Sequence, residues 1–256
     1  MLIRDKVCVI VGTASAKGIG DATVRMFADH GARIVASDIT MNEAVLARLR
    51  DGAADPAAAR SSIVAQACDI TDLTQCRALM AFALATFGRI DCLVNCAGIV
   101  EGSRFEDIDG DMFDRITTIN LKGTFNLCKA AVEVFSHQSS GNIINLSSAA
   151  AQRGAGLAGG AHYAASKGGV ISLTKSIARE YGPQNIRANV ICPAMIDTQM
   201  LDGFSPERQQ EIIDTIPLRR VGLPAELAGT CLFLASDLSG FITGATIDVN
   251  GGAHIH

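Results

Sequence analysis

Seven short apolar runs, separated by amphipathic stretches, set the architecture open to this 256-residue chain. The runs are Val7–Val11, Arg33–Asp38, Ile63–Cys68, Cys92–Asn95, Asn142–Leu146, Arg187–Ile191 and Thr246–Val249. Each is apolar almost throughout, the pattern of a strand covered on both faces. Between them the spacing predicts helices over 18–30, 41–50, 72–87, 110–136, 163–181 and 224–236. Thr71-Asp72 and Leu223-Pro224 read as helix starts, and Gly31, Gly88 and Gly182 as stops. Such alternation implies a parallel sheet with helices on both faces. The alanine-rich stretch Gly52–Ala59 reads as a surface loop, and no repeat or low-complexity linker divides the chain. The expectation is an α/β fold: one doubly wound domain over residues 1–256.

Composition narrows the function. Hydrophobic residues make up 48% of the chain, enough for a real core and too many for a disordered protein. With 22 Lys+Arg against 26 Asp+Glu, the net charge of −4 offers no basic face for nucleic acid. The longest apolar runs fall far short of the roughly 20 residues a membrane-spanning helix requires. Met1 to Lys6 run straight into the first strand, leaving no room for a secretory signal. The 8 cysteines are scattered, form no CxxC pair and fall in apolar runs, so they read as small hydrophobes rather than disulfides. A reducing, cytoplasmic setting is expected. The histidines give no metal-ligand spacing, and His254 and His256 are expected in a flexible tail.

In doubly wound sheets ligands bind beyond the carboxyl ends of the strands. After the first run comes Gly12-Thr13-Ala14-Ser15-Ala16-Lys17-Gly18-Ile19-Gly20, leading directly into a helix. Glycines allow a tight turn and close approach of backbone to a pyrophosphate, which then rests on the helix N-terminus. Asp38, ending the second strand, can hydrogen-bond the ribose 2′-hydroxyl of NAD and would repel a 2′-phosphate. Lys17 pulls the other way, since its ammonium can pair with that phosphate. NAD is the expected cofactor.

Tyr163-Ala164-Ala165-Ser166-Lys167 opens a predicted helix, and its i, i+4 spacing puts Tyr163 and Lys167 on one face. An ammonium near a phenol favours the phenolate. With the glycine loop, this pair resembles the short-chain dehydrogenase/reductase family, and the likeness runs nearly the whole chain in family order. The matching features are the loop at 12–20, Asp69-Ile70, Asn95-Cys96-Ala97-Gly98, Asn120, Ser147-Ser148, Tyr163/Lys167, and Pro193 to Thr198. The resemblance implies a Rossmann fold in which Tyr163 is the general acid/base and Lys167 lowers its pKa and binds the nicotinamide ribose. Ser148 would orient the substrate oxygen, and Asn120 would hold a water that links Lys167 to solvent. Asp69 and Ile70 would flank the adenine, while Asn95, Ala97 and Gly98 would pass the riboses. Ile196 and Thr198 would meet the carboxamide. Gly12, Lys17, Gly18, Ile19, Gly20, Asp38 and Pro193 complete the expected cofactor contacts. No metal is needed for this chemistry.

The chain departs from the family pattern in three places. Five residues separate Gly12 from Gly18 where relatives have three, and either Gly12 or Ala14 can stand for the first glycine. The alignment of the first strand and the glycine-like φ needed there favour Gly12 with a two-residue insertion. Ser148 lies two residues further from Tyr163 than usual, giving a longer loop at 149–162 whose Gln152, Arg153 and His162 edge the substrate site; Ser147 is the fallback serine. Cys96 and Pro193-Ala194 replace a usual asparagine and Pro-Gly.

By the same resemblance the pocket is lined by Ala149, Ala150, the turn at 99–101 with Val100, and Ala194-Met195. A lid at about 197–217 carrying Met200, Leu201 and Phe204 would close over it and exclude water. These small and apolar residues lean toward a hydrophobic secondary alcohol or ketone. Arg104, Lys122 and Arg153 read as solvated charges, though each can hold a carboxylate. Relatives pack the faces of the helices at 110–136 and 163–181 into dimers and tetramers, so a homo-oligomer is expected. The leading function is an NAD-dependent alcohol dehydrogenase or ketone reductase. An NADPH-linked 3-oxoacyl thioester reductase and a non-catalytic dinucleotide sensor remain as alternatives.

Overall fold

The seven strands pair, all parallel, in the order β3-β2-β1-β4-β5-β6-β7. The computed structural model describes residues 1–154 and 159–255, with Met200 described by its backbone alone. The strands are β1 (Val7–Val11), β2 (Arg33–Asp38), β3 (Ile63–Ala67), β4 (Cys92–Asn95), β5 (Gly141–Leu146), β6 (Ile186–Pro193) and β7 (Thr246–Val249). The helices are α1 (Ile19–Asp29), α2 (Glu43–Asp51), α3 (Pro56–Ser62), α4 (Leu73–Phe87), α5 (Gly110–Thr117), α6 (Gly123–Gln138), α7 (Ala150–Arg153), α8 (Ala161–Tyr181), α9 (Pro206–Asp214) and α10 (Pro224–Ala235). The chain winds outward from β1 to β3 and then crosses to β4 on the other side of β1. That reversal opens a crevice at the carboxyl ends of β1 and β4, where such sheets bind ligands.

Alternate strand residues feed two cores. Cys8 and Ile10 pack with Val24 and Phe27 of α1, Leu49 of α2 and Leu227 of α10. Val9 and Val11 pack on the opposite face with Leu79 of α4, Leu127 and Phe135 of α6, and Ile177 of α8. Burial on both faces explains why the central strands read as unbroken apolar runs. The edge strands β3 and β7 are mostly half-buried, because each has a neighbour on one side only.

Three expectations are corrected. The stretch from Gly52 is not all loop: Asp55 accepts from the amides of Ala57 and Ala58, Pro56 takes the first helical position, and α3 follows with Ala59 buried. A cap followed by Pro and three alanines is a helix start that was masked by its shortness. The expected helix over 110–136 is broken by one π turn at Thr118–Lys122, where the Gly123 amide reaches back to the Thr118 carbonyl. His254 is not in a free tail, since its carbonyl accepts from Asn250 Nδ2 at 3.1 Å; His256 lies outside the described residues. Asp72 does cap α4, and Gly88 ends it with φ +79°. The cysteines are free thiols, buried except for half-buried Cys96. No described helix is long and apolar enough to cross a membrane.

Candidate active site

A cavity of about 980 Å³ runs across the carboxyl ends of the strands. Its wall includes Gly12, Gly18, Ile19, Gly20, Asp38, Asp69, Ile70, Ala97, Gly98, Ser148, Tyr163, Lys167, Pro193, Ile196 and Thr198. Of the residues expected at the site, Lys17, Asn95 and Asn120 are not on the wall. Lys17 is exposed. Asn95 is buried, where its side chain accepts from the Ala97 amide and donates to Thr124 Oγ1, so it shapes the 95–98 turn from behind.

The glycine loop has the backbone that its composition predicts. Gly12 adopts φ +87°, and a Cβ there would lie 2.6 Å from the Ala97 nitrogen. This assigns the first glycine to Gly12 rather than Ala14, with the extra residues forming a turn. At Gly20 a Cβ would lie 2.1 Å from the Gly12 carbonyl oxygen, so the strand end and α1 touch there. No described side chain caps α1. Its first-turn amides therefore lack side-chain partners at the positive end of the helix, beside the cavity. A dinucleotide's pyrophosphate suits this cradle.

Asp38 closes the adenosine end. Its Oδ2 accepts from the Ala14 amide at 3.0 Å, and its Oδ1 accepts from the amide and hydroxyl of Thr40, both at 3.1 Å. A carboxylate offers about four acceptor positions, so one remains for a ribose hydroxyl. Ser15 at the loop tip donates to Gln199 Oε1 at 3.0 Å, joining the loop to the segment after β6. The sequence offers no sign of this role for Ser15, because a loop contact across 184 residues leaves no local signal.

At the other end, β5 delivers Ser148 and α8 delivers Tyr163 and Lys167. Burial raises the Tyr163 phenol, while a hydrogen bond with the Ser148 side chain pulls it back down. Burial also lowers the Lys167 ammonium, to about 8. Its Nζ donates to the Leu146 carbonyl at 3.0 Å. Ser147 also borders the cavity, but its hydroxyl donates to the Lys167 carbonyl at 2.8 Å. The Ser148 hydroxyl faces the cavity and accepts from the Ala150 amide at 3.1 Å.

Asn120 sits in the π turn. Its side chain accepts from the Ile99 amide and donates to the Ile99 carbonyl, both at 2.9 Å, and donates to Ser166 Oγ at 3.1 Å. These bonds bind the 98–100 turn to α8. The Asn120 carbonyl accepts from Thr124 Oγ1 at 2.7 Å.

The substrate side of the cavity is mostly apolar. Ile99, Val100, Ala149, Ala150, Ala194 and Met195 line it, with exposed Arg153 at the edge. Leu201, Phe204, Ile212 and Ile216 face it from the segment expected as a lid. The Met200 side chain lies outside the described residues. Ser205 caps α9, and the charged stretch Glu207–Glu211 forms its outer part. Gln152 and His162 do not line the wall. Gln152 donates to Asp248 at 2.9 Å, and His162 is buried 3.9 Å from Glu101 Oε2.

Comparison with known proteins agrees with this geometry. A family model described as enoyl-(acyl carrier protein) reductase matches residues 12–254. A Sinorhizobium fredii protein named uncharacterized short-chain type dehydrogenase/reductase y4mP is 41% identical over 258 residues, covering 100% of both chains. The 3-oxoacyl-(acyl-carrier-protein) reductase FabG of Thermotoga maritima is 36% identical over 252 residues, covering 98% of this chain and 99% of that protein. The crystal structure of a Brucella melitensis short-chain dehydrogenase/reductase, titled glucose/ribitol dehydrogenase, superposes with TM-score 0.89 at 33% identity, covering 100% of this chain and 99% of that one. With its parallel sheet, glycine loop and Ser148/Tyr163/Lys167 cluster, the chain belongs to the short-chain dehydrogenase/reductase family of oxidoreductases.

Proposed function

We propose that this chain is an NAD-dependent oxidoreductase acting on a secondary alcohol or ketone with a largely apolar or cyclic body. One observation carries the chemistry: Ser148, Tyr163 and Lys167 converge on the inner end of a cavity whose substrate half is apolar. Tyr163 Oη gives its proton to the substrate oxygen in reduction and takes it back in oxidation. Ser148 Oγ hydrogen-bonds that same oxygen and holds it beside the phenol. Lys167 Nζ grips the nicotinamide ribose and relays protons to a water at the Asn120 carbonyl. Ile196 and Thr198 hold the carboxamide. The dinucleotide, when bound, supplies or accepts the hydride. The lid over about 197–217 turns Leu201, Phe204 and Ile212 toward the substrate and keeps water out.

The Asp38 carboxylate on the cavity wall supports NAD over NADP. We read residues 1–256 as one NAD-binding and catalytic domain, working as a homodimer or homotetramer in the cytoplasm. Phe113 and Phe125 stand 45% and 46% exposed on α5 and α6, and their burial in a second copy supports the oligomer. The buried free thiols support a reducing compartment. Initial rates with NADH and NADPH over a panel of cyclic, aromatic, polyol and hydroxy-acid substrates test the reading. At least a tenfold NADPH preference rejects NAD, and no turnover despite tight NADH binding favours a sensor.

A second reading, reduction of a 3-oxoacyl thioester, is favoured by the Thermotoga maritima relative named for that reaction. Acetoacetyl thioesters in the same panel separate it from the first.

A further inference from the structure

A charged pair of a buried carboxylate and a half-buried guanidinium lies behind the glycine loop. Asp21, in the first turn of α1, is 3% exposed. Its Oδ1 accepts from Arg48 Nη1 of α2 at 2.5 Å, and its Oδ2 lies 2.7 Å from Arg25 Nε. The other arm of Arg48 donates to the Ala14 carbonyl at 2.9 Å and reaches the Thr13 carbonyl at 3.4 Å. Asp38 accepts from the amide of that same Ala14. A guanidinium and a carboxylate thus grip opposite ends of one residue in the inserted turn.

The location of Asp21 makes this pair more than a brace. The first turn of α1 is where the pyrophosphate must rest, at the positive end of the helix. A carboxylate buried at that end competes with a second anion unless its charge is met. Arg48 and Arg25 meet it together, and the planar fork lets the Arg48 side chain hold both the carboxylate and the loop carbonyl. Removing Arg48 would leave an undercompensated charge beneath the phosphate cradle and free the turn.

We propose that Arg48 and Asp21 form a positioning pair for the dinucleotide pyrophosphate, in which Arg48 neutralises Asp21 and fixes the inserted turn at Ala14. The proposal rests on the dinucleotide reading above and adds two residues outside the catalytic set. It assigns the pair a signature that bracing alone lacks. The cost of losing Arg48 is largely electrostatic, so removal of Asp21's charge should return much of it.

The test is titration of the full-length wild type with NADH and NADPH, followed by Arg48→Met, Asp21→Asn and the double variant with whichever dinucleotide binds. A wild-type preference for NADPH fails the NAD reading and leaves the pair testable on NADPH. Absence of binding by either overturns both. Arg48→Met should weaken dinucleotide binding by about tenfold or more, with KM for the dinucleotide rising and kcat holding. The double variant should recover at least about threefold of that loss. Adenosine, which carries no phosphate, should bind all variants alike. Equal losses for adenosine and dinucleotide, a double variant no better than Arg48→Met, or Arg48→Met binding like wild type each overturn the proposal. Should Arg48→Met not fold, the double variant is read alone: binding within about threefold of wild type supports the pair, and a larger loss overturns it.

Discussion

Lys167 Nζ donates to the Leu146 carbonyl at 3.0 Å, tying the side chain that ends the Tyr163-to-Lys167 turn of α8 to the end of β5. In the same place Ser147 Oγ donates to the Lys167 carbonyl. Helix and strand are therefore locked together where Ser148, Tyr163 and Lys167 meet, and the site's geometry depends on this joint.

Replacing Tyr163 with Phe removes only the phenolic oxygen from a half-buried ring. Turnover should fall on the order of 10²–10⁴-fold. Dinucleotide affinity, measured by fluorescence titration, should stay near wild type. Unchanged turnover would remove Tyr163 from the proton-transfer role.

Burial lowers Lys167 from 10.5 to about 8, so the folded state holds its proton less tightly than the unfolded state. Between those values the unfolded chain binds more protons, and stability contributed by this site rises with pH; below pH 8 the penalty is present in full. The penalty is about 3 kcal/mol by the usual conversion, less about 1 kcal/mol for the Leu146 hydrogen bond. Lys167→Met should therefore stabilise the cofactor-free protein at pH 7, with the advantage shrinking from pH 8 upward. Paired thermal melts at pH 7, 8 and 9 check this, and a gap that ignores pH counts against it.

The two serines should separate cleanly. Ser148→Ala should cost on the order of 10²-fold in kcat through loss of a donor to the substrate oxygen. Ser147→Ala breaks the bond to the Lys167 carbonyl and should cost about 1 kcal/mol in stability, with kcat much less affected. Steady-state kinetics with denaturant melts distinguish the two, and the reverse pattern would exchange their roles.

Gly20→Ala forces a Cβ within 2.1 Å of the Gly12 carbonyl oxygen. Backbone there cannot yield as a flexible side chain can, so the loop and α1 must part. A loss of about 1–3 kcal/mol and weakened dinucleotide binding are expected. A variant with wild-type melting and binding would contradict the close packing of loop and helix.

Asp38→Ser should raise NADPH use relative to NADH by at least about tenfold, as the repulsion of a 2′-phosphate is lost. Affinity for both dinucleotides should nonetheless fall, because the Ala14 amide loses its acceptor. KM values for both cofactors test this. A full conversion with no loss of affinity would show that the Ala14 contact is dispensable.

Much of the fold was legible because its signals are local. Central strands such as Val7–Val11 are buried on both faces and read as apolar runs, while Asp72 and Gly88 mark the ends of α4 by their own conformational preferences. Gly12 was chosen over Ala14 by the φ that the turn requires, and the structure has that φ. The short helix α3 was missed because seven residues carry little periodicity. The π turn was missed because the same apolar spacing fits an uninterrupted helix. At the site, spacing picked out Tyr163 and Lys167 and the family resemblance added Ser148, whereas Lys17 is not on the cavity wall and Asn95 works from behind it.

By itself the sequence determined the parallel α/β architecture and the glycine turn after β1, since periodicity and glycine φ are properties of a few neighbouring residues. Tertiary structure alone decided that the Ser147 hydroxyl is bonded to the Lys167 carbonyl, where Lys167 spends its hydrogen bond, and that Arg48 and Asp38 hold Ala14 from opposite ends. Those outcomes depend on the direction in which one element's polar groups point at another, distant in the chain. Burial then sets the pKa of each group that this packing encloses, and no local pattern of residues records it.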